Sequence, residues 1–224
     1  MFKQLLKKAS KSTINSMNKY SQFKYFSSQK ENLLNCINSE ITHEEKNYQG
    51  VAESEKNNFL SNNKFKFIEK ANSQLLELHK THDNWDIKIF YQSRAPMPTE
   101  DEGQEEAEPT NMTDFHIIIK PLGRTSGLLV EAMTMDSSIN VSQIHCSDHI
   151  DAYASDFING KLKYDQYQGP DFTSLDEKLQ GAFVEFLSTL GINDDCGSFI
   201  EVTSLDKDQV LYSDWLKKLK NVLL

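Results

Sequence analysis

From residue 31 onward the apolar positions recur first at helical and then at strand spacing. Leu33, Leu34, Ile37 and Ile41 follow one another at three- and four-residue steps, which predicts an amphipathic helix over residues 31–48. Residues 49–63, rich in Asn, Glu and Ser, carry little periodicity and read as a loop. The period then becomes two. Phe65 and Phe67 alternate with lysines, Leu76 and Leu78 sit in a short apolar run, and Trp85, Ile87, Ile89 and Tyr91 alternate with Asp86, Lys88 and Phe90. His82-Asp83-Asn84 is turn chemistry and makes the second and third strands a hairpin. Strand patterns return over 115–120, 127–135 and 139–146, with turns at Pro121-Leu122-Gly123 and Asp136-Ser137-Ser138. Such short connections force antiparallel pairing, because a parallel pair needs a crossover of about a dozen residues. Residues 147–160 form a looser stretch, and 162–167 are expected to add a seventh, edge strand.

The carboxy-terminal third is helical. Ser174-Leu175-Asp176-Glu177 has the form of a capping box, opening a helix that runs to Leu190 and is stopped by Gly191. One face of it carries Leu175, Leu179, Ala182, Phe183, Phe186, Leu187 and Leu190. A short helix over 194–204 and a last one over 206–223 follow, the latter turning Leu211, Trp215, Leu216, Leu219 and Leu223 inward. Leu179, Phe183, Phe186, Leu187, Leu211, Trp215 and Leu219 are thus the expected core or subunit interface. Helix, then strands, then helices is the order of an α+β fold.

Charge divides the chain unevenly. Its 224 residues have a net charge of −9, yet residues 1–30 contain seven lysines and no acid. Beyond them 17 basic residues face 33 acidic ones, an excess of 16 acids. In helical projection Phe2, Leu5, Leu6, Ala9 and Thr13 oppose Lys3, Lys7 and Lys11, the composition of a mitochondrial presequence, with Lys24-Tyr25-Phe26-Ser27-Ser28 suggesting cleavage near Phe26. The other reading is a retained basic tail. Residues 31–224 are expected to form a single domain. Its negative field disfavours direct nucleic-acid binding and attracts basic protein segments. Cys36, Cys146 and Cys196 are too few and too scattered for a disulfide framework, and no apolar run reaches the roughly 20 residues that span a bilayer.

Two clusters invite a chemical reading. Glu100, Asp101, Glu102, Glu105, Glu106 and Glu108 lie in a proline-bounded acidic loop, 99–109, which serves either as a landing strip for a basic partner or as a solvated loop. His145-Cys146-Ser147-Asp148-His149 gathers a thiol, two imidazoles and a carboxylate. It lacks a recognisable zinc spacing and a legible base or oxyanion site for Cys146, so these residues read as structural. Gly123-Arg124-Thr125-Ser126-Gly127 is a turn without the Gly-Lys-Ser/Thr ending of a phosphate loop. The sequence specifies no catalytic residue, metal or cofactor.

Tyr164-Asp165-Gln166-Tyr167-Gln168-Gly169-Pro170-Asp171-Phe172, with Leu175-Asp176-Glu177-Lys178-Leu179-Gln180 and Phe183-Val184-Glu185-Phe186-Leu187, resembles the carboxy-terminal signature of the mitochondrial glycoprotein family. Gly191-Ile192 and Tyr212-Ser213-Asp214-Trp215-Leu216-Lys217-Lys218-Leu219-Lys220 extend the resemblance in the same order. This family contains the fungal mitochondrial acidic matrix proteins and the animal complement component 1 Q subcomponent-binding protein. The resemblance implies a seven-stranded twisted antiparallel sheet flanked by terminal helices, assembled as a doughnut-like trimer. It also implies a non-enzymatic matrix protein that binds basic partners and supports mitochondrial translation or the respiratory chain. A fixed accessory subunit of a respiratory complex or mitoribosome, within a homo- or hetero-trimer, is the alternative. An enzyme built on Cys146 is the remote one.

Overall fold

The computed structural model describes residues 28–94, 112–161 and 167–224. The expected presequence, apart from residues 28–30, lies outside these residues, as do the acidic loop 99–109 and most of the expected seventh strand. The described residues form two compact units: those within Gly50–Leu211, and 28–49 together with Tyr212–Leu224.

The larger unit is built on a meander of six antiparallel strands in sequential order. They are β1 (Lys66–Glu69), β2 (Leu75–His82), β3 (Trp85–Gln92), β4 (Met112–Pro121), β5 (Gly127–Met135) and β6 (Ser138–Ser147). The expected count of seven is corrected to six: Tyr167 lies outside any strand and is 84% exposed. In place of a seventh ladder, Asp171 makes one bridge to Gln143 of β6, and the Gln143 amide donates to the Gln168 and Gly169 carbonyls, each at 3.2 Å. Gly169, at φ +87°, brings its backbone so close to the Ile144 carbonyl that a Cβ would clash.

A bulge opposite Glu131 and Ala132 sets the faces of β6. Glu131 pairs with Gln143 and Ala132 with Val141, leaving Ser142 as the extra residue. Ile139 and Val141 before the bulge, and Ile144 after it, therefore pack on the same core. Two-residue turns close the hairpins at Asp83-Asn84 and Asp136-Ser137, where Asp83, Asp136 and Ser137 adopt positive φ.

Helices cover the sheet unequally. The more apolar face, with Leu76, Leu78, Ile87, Ile89, Phe115, Ile117, Ile119 and Val130 completely buried, packs against α2 (Glu53–Asn63), α4 (Glu177–Thr189) and the first half of α5 (Asp194–Leu223). Those helices contribute Phe59, Leu60, Leu187, Cys196, Phe199 and Ile200. The opposite face carries a smaller cluster, in which Ile118 and Leu129 meet Ile150 and Ala154 of α3 (Ile150–Ile158).

Four sequence expectations need correction here. Residues 53–63, read as loop, are α2. Phe59 and Leu60 are its only large apolar residues, and tertiary anchors hold it: Phe59 stacks on Phe199 with centroids 4.3 Å apart, and Lys56 pairs with Asp206 at 2.9 Å. The looser stretch contains α3, whose inward residues Ile150, Tyr153, Ala154 and Phe157 have helical spacing. The capping box is not formed: Asp176 caps α4 by accepting from the Lys178 amide, while the Ser174 hydroxyl donates to the Asp171 carbonyl. The two final helices are one, because no Gly or Pro interrupts 198–223. Gly191, at φ +81°, ends α4 as expected.

The smaller unit contains α1, helical over residues 28–47, and the end of α5. Tyr212 donates to Glu40 at 3.1 Å and Lys217 pairs with Glu45 at 3.1 Å. No helix among the described residues is long and apolar enough to cross a membrane.

Candidate functional site

The first half of α5 is fastened to the sheet by buried polar groups. The Glu201 carboxylate, on a residue only 5% exposed, accepts from the Ser137 amide at the β5–β6 turn, and both of its oxygens lie 3.1 Å away. Gly197 passes that turn so closely that a Cβ would lie under 3.0 Å from the Ser137 carbonyl oxygen. Thr203 meets the Tyr91 hydroxyl at 2.8 Å, and Ser204 donates to the Gln92 carbonyl and accepts from the Arg94 amide. Lys207 donates to the Lys70 carbonyl at 2.8 Å and reaches Glu69 at 3.3 Å. Lys80 crosses from β2 to donate to the Leu190 carbonyl at the end of α4, with its ammonium 5.0 Å from the Phe65 ring centroid. Burial holds its pKa below the ordinary lysine value and pushes the neighbouring Cys196 thiol up to about 12, so that cysteine stays protonated and inert.

The His145 cluster is taken apart by strand alternation. His145 and Cys146 are adjacent in β6 and so face opposite sides of the sheet, His145 fully buried and Cys146 exposed. The ring of His145 bonds to the Glu131 carboxylate through Nε2 and meets the Tyr153 hydroxyl at Nδ1, 2.9 Å away. This arrangement attaches α3 to the sheet and places no base beside the thiol. His149 and Asp148 are exposed, and the His149 amide donates to Ser147 at 3.1 Å. His116, edge-on to Phe157, has its pKa lowered by burial. Among the described residues no cluster of His, Cys, Asp and Glu could hold a metal ion.

The expected interface residues separate. Leu187 is core, Phe186 packs on the core beside Trp85, and Phe183 is half-buried edge-on to Phe172. Leu211 and Leu219 are half-buried. Leu179 is exposed, and Trp215, expected to point inward, is 54% exposed and stacked on Tyr212. Leu216 is the residue of that stretch that is buried. The six acids of the loop lie outside the described residues.

Acidic residues that are described gather where α5 begins. Two open grooves of about 370 and 430 Å³ flank its first turns and share Asp195 on their rims. One is floored by Leu187 and Ile192, with Ile139 and Val141 of β6 and Val184 of α4 as walls. The other lies between Phe59 of α2 and Val202 of α5, with Glu55 at its edge. Asp194, Asp195 and Glu55 have no ion-pair partner among the described residues, and the only cation lining either groove, Lys56, is held by Asp206. No single stretch of sequence displays this site, because its parts lie far apart along the chain.

Comparison with known proteins decides the relationship. The sequence profile of the MAM33 mitochondrial glycoprotein family matches residues 37–223. The chain belongs to this family. Within it, the mitochondrial acidic protein mam33 of Schizosaccharomyces pombe is 33% identical over 97 residues, 43% of this chain and 36% of that protein, so the match spans about a third of the relative's length. Two solved structures share the fold. A Leishmania major protein described as a sequence homologue of human p32 superposes with a TM-score of 0.66 at 16% identity, covering 88% of this chain and 99% of that one. The Trypanosoma brucei p22 protein gives 0.64 at 16% identity with the same coverage. The family and its α+β antiparallel architecture are as the carboxy-terminal residues implied.

Proposed function

We propose that this chain is an acidic, oligomeric binding and scaffold protein of the mitochondrial matrix that takes basic protein segments as clients. Through them it supports mitochondrial translation or respiratory-chain upkeep, without catalysing a reaction. The observation that carries this reading is charge segregation: the lysine-only amino terminus suits an import segment, and the excess of 16 acids that follows suits a basic client. Family membership and the name of the S. pombe relative support the location and the acidic character. The His145 and Cys146 geometry supports a role without catalysis.

The test is binding of a lysine-rich peptide to the full chain across a salt series. Replacing Glu100, Asp101, Glu102, Glu105, Glu106 and Glu108 with Gln should weaken binding and flatten its salt dependence. Salt-independent binding, or none, sinks the reading. Cys146→Ser should leave binding intact; its loss in a folded protein would reopen the enzymatic reading.

A second reading, a fixed accessory subunit of a larger mitochondrial assembly, is favoured by one surface. Trp215, Val222 and Leu224 are 54%, 82% and 78% exposed, an apolar stretch suited to a constant partner. Native mass after gentle lysis, with crosslinking, separates the two: a trimer supports the first and a megadalton particle the second. An isolated monomer contradicts both.

A further inference from the structure

We propose that the paired grooves astride the start of α5 form a docking site for a basic amphipathic segment, with apolar side chains seated in the two grooves and a lysine or arginine between them at Asp194 and Asp195. The assignment rests on the reading of the chain as a binder of basic segments and gives that activity a place outside the acidic loop.

Chemistry fits the occupant on three counts. Val184 and Val202 are 53% and 42% exposed, one on each groove, so aliphatic surface is available on both sides of a shared acidic rim. Asp194, Asp195 and Glu55 lack ion-pair partners among the described residues, which leaves a local negative charge that an incoming cation would neutralise. The walls are firmly held. Asn193 caps α5 by accepting from the Cys196 amide, Gly197 abuts the β5–β6 turn, and Phe59 stacks on Phe199, so binding does not first require ordering the site. A purely basic chain would use only the rim, and a purely apolar one only the grooves. The site therefore selects the combination, which an amphipathic helix supplies through apolar residues at three- and four-residue spacing with lysines between.

The experiment uses the full chain and two fluorescent peptides about four helical turns long: a Leu–Lys amphipath, and a companion in which every leucine is serine. The Leu–Lys peptide should bind roughly tenfold more tightly than the Ser–Lys peptide. Asp194→Asn with Asp195→Asn should weaken it about fivefold and flatten its salt dependence, and Asp194→Glu with Asp195→Glu should restore it. Val184→Ser with Val202→Ser should weaken the Leu–Lys peptide while leaving the Ser–Lys peptide unchanged. Thermal melts should show each variant folded. If these variants bind as the unchanged chain does while the six-Gln loop variant loses binding, the client sits on the loop: the binder reading stands and this site is wrong. If neither peptide binds the unchanged chain, both fall. If Val184→Ser with Val202→Ser instead lowers the native mass, the grooves are a contact between copies and the proposal is overturned.

Discussion

Along β4, Phe115, Ile117 and Ile119 point to one face of the sheet and are fully buried beneath helices, while His116, Ile118 and Lys120 point to the other. The first face is largely hydrocarbon from β1 to β6, with Lys80 and the Tyr91 hydroxyl reaching from it to Leu190 and Thr203. The second alternates hydrocarbon with polar groups: Ile118 and Leu129 lie near the Glu131–His145–Tyr153 chain, and Lys120 bonds to Asp151 and Asp86. On that face α3 covers β4, β5 and β6, whereas Glu77 and His79 on β2 bond to each other at 2.9 Å. The first face is therefore held by burial, which scales with area, together with the buried polar contacts to α4 and α5. On the other face the apolar cluster is smaller, and directional contacts carry a larger share.

The largest difference between the faces is expected at neighbouring residues of β4. Ile117→Ala should cost about 4 kcal/mol and Ile118→Ala about 2 kcal/mol, measured by urea unfolding, because only the former opens a cavity in the large core. Equal costs would show that the faces contribute alike. Glu201→Ala should come next, at about 2 kcal/mol, since it leaves the Ser137 amide at the β5–β6 turn without its buried acceptor. The smallest effect belongs to the polar face: Tyr153→Phe should cost about 1 kcal/mol, and its hydrogen exchange should rise in α3 before elsewhere.

Acid should separate the faces as well. Burial lowers the pKa of His116 below the ordinary 6.5, so the folded state favours the neutral ring. The resulting stability is fully present above 6.5 and is lost as pH falls through that value toward the lower folded one. Unfolding midpoints followed across this window should drop, and His116→Gln should flatten the drop.

The apolar face was legible because alternation in β2 through β5 repeats the same answer strand after strand, and in β6 the shift from Ile139 and Val141 to Ile144 even carries the bulge. α3 was missed, although Ile150, Tyr153, Ala154 and Phe157 have helical spacing, because the polar run before it masked the period. α2 was not, since a helix with only Phe59 and Leu60 as large apolar residues derives its order from Phe199 and Asp206. The same holds for Glu201, Thr203, Ser204 and Lys207. They look like solvent residues of an ordinary helix, and their partners lie 64 to 138 positions away. The candidate docking site shares that difficulty, since α2, β6, α4 and α5 each supply only a fragment of it.

The polar fastening of α5 also bears on how the protein is made. During synthesis the six strands emerge before α5, and their apolar face finds Phe199 and Ile200 only when the last thirty or so residues follow. Until then the strands expose a hydrophobic surface that α2 and α4 only partly cover. A late frameshift should therefore produce an aggregate in place of a shortened working protein.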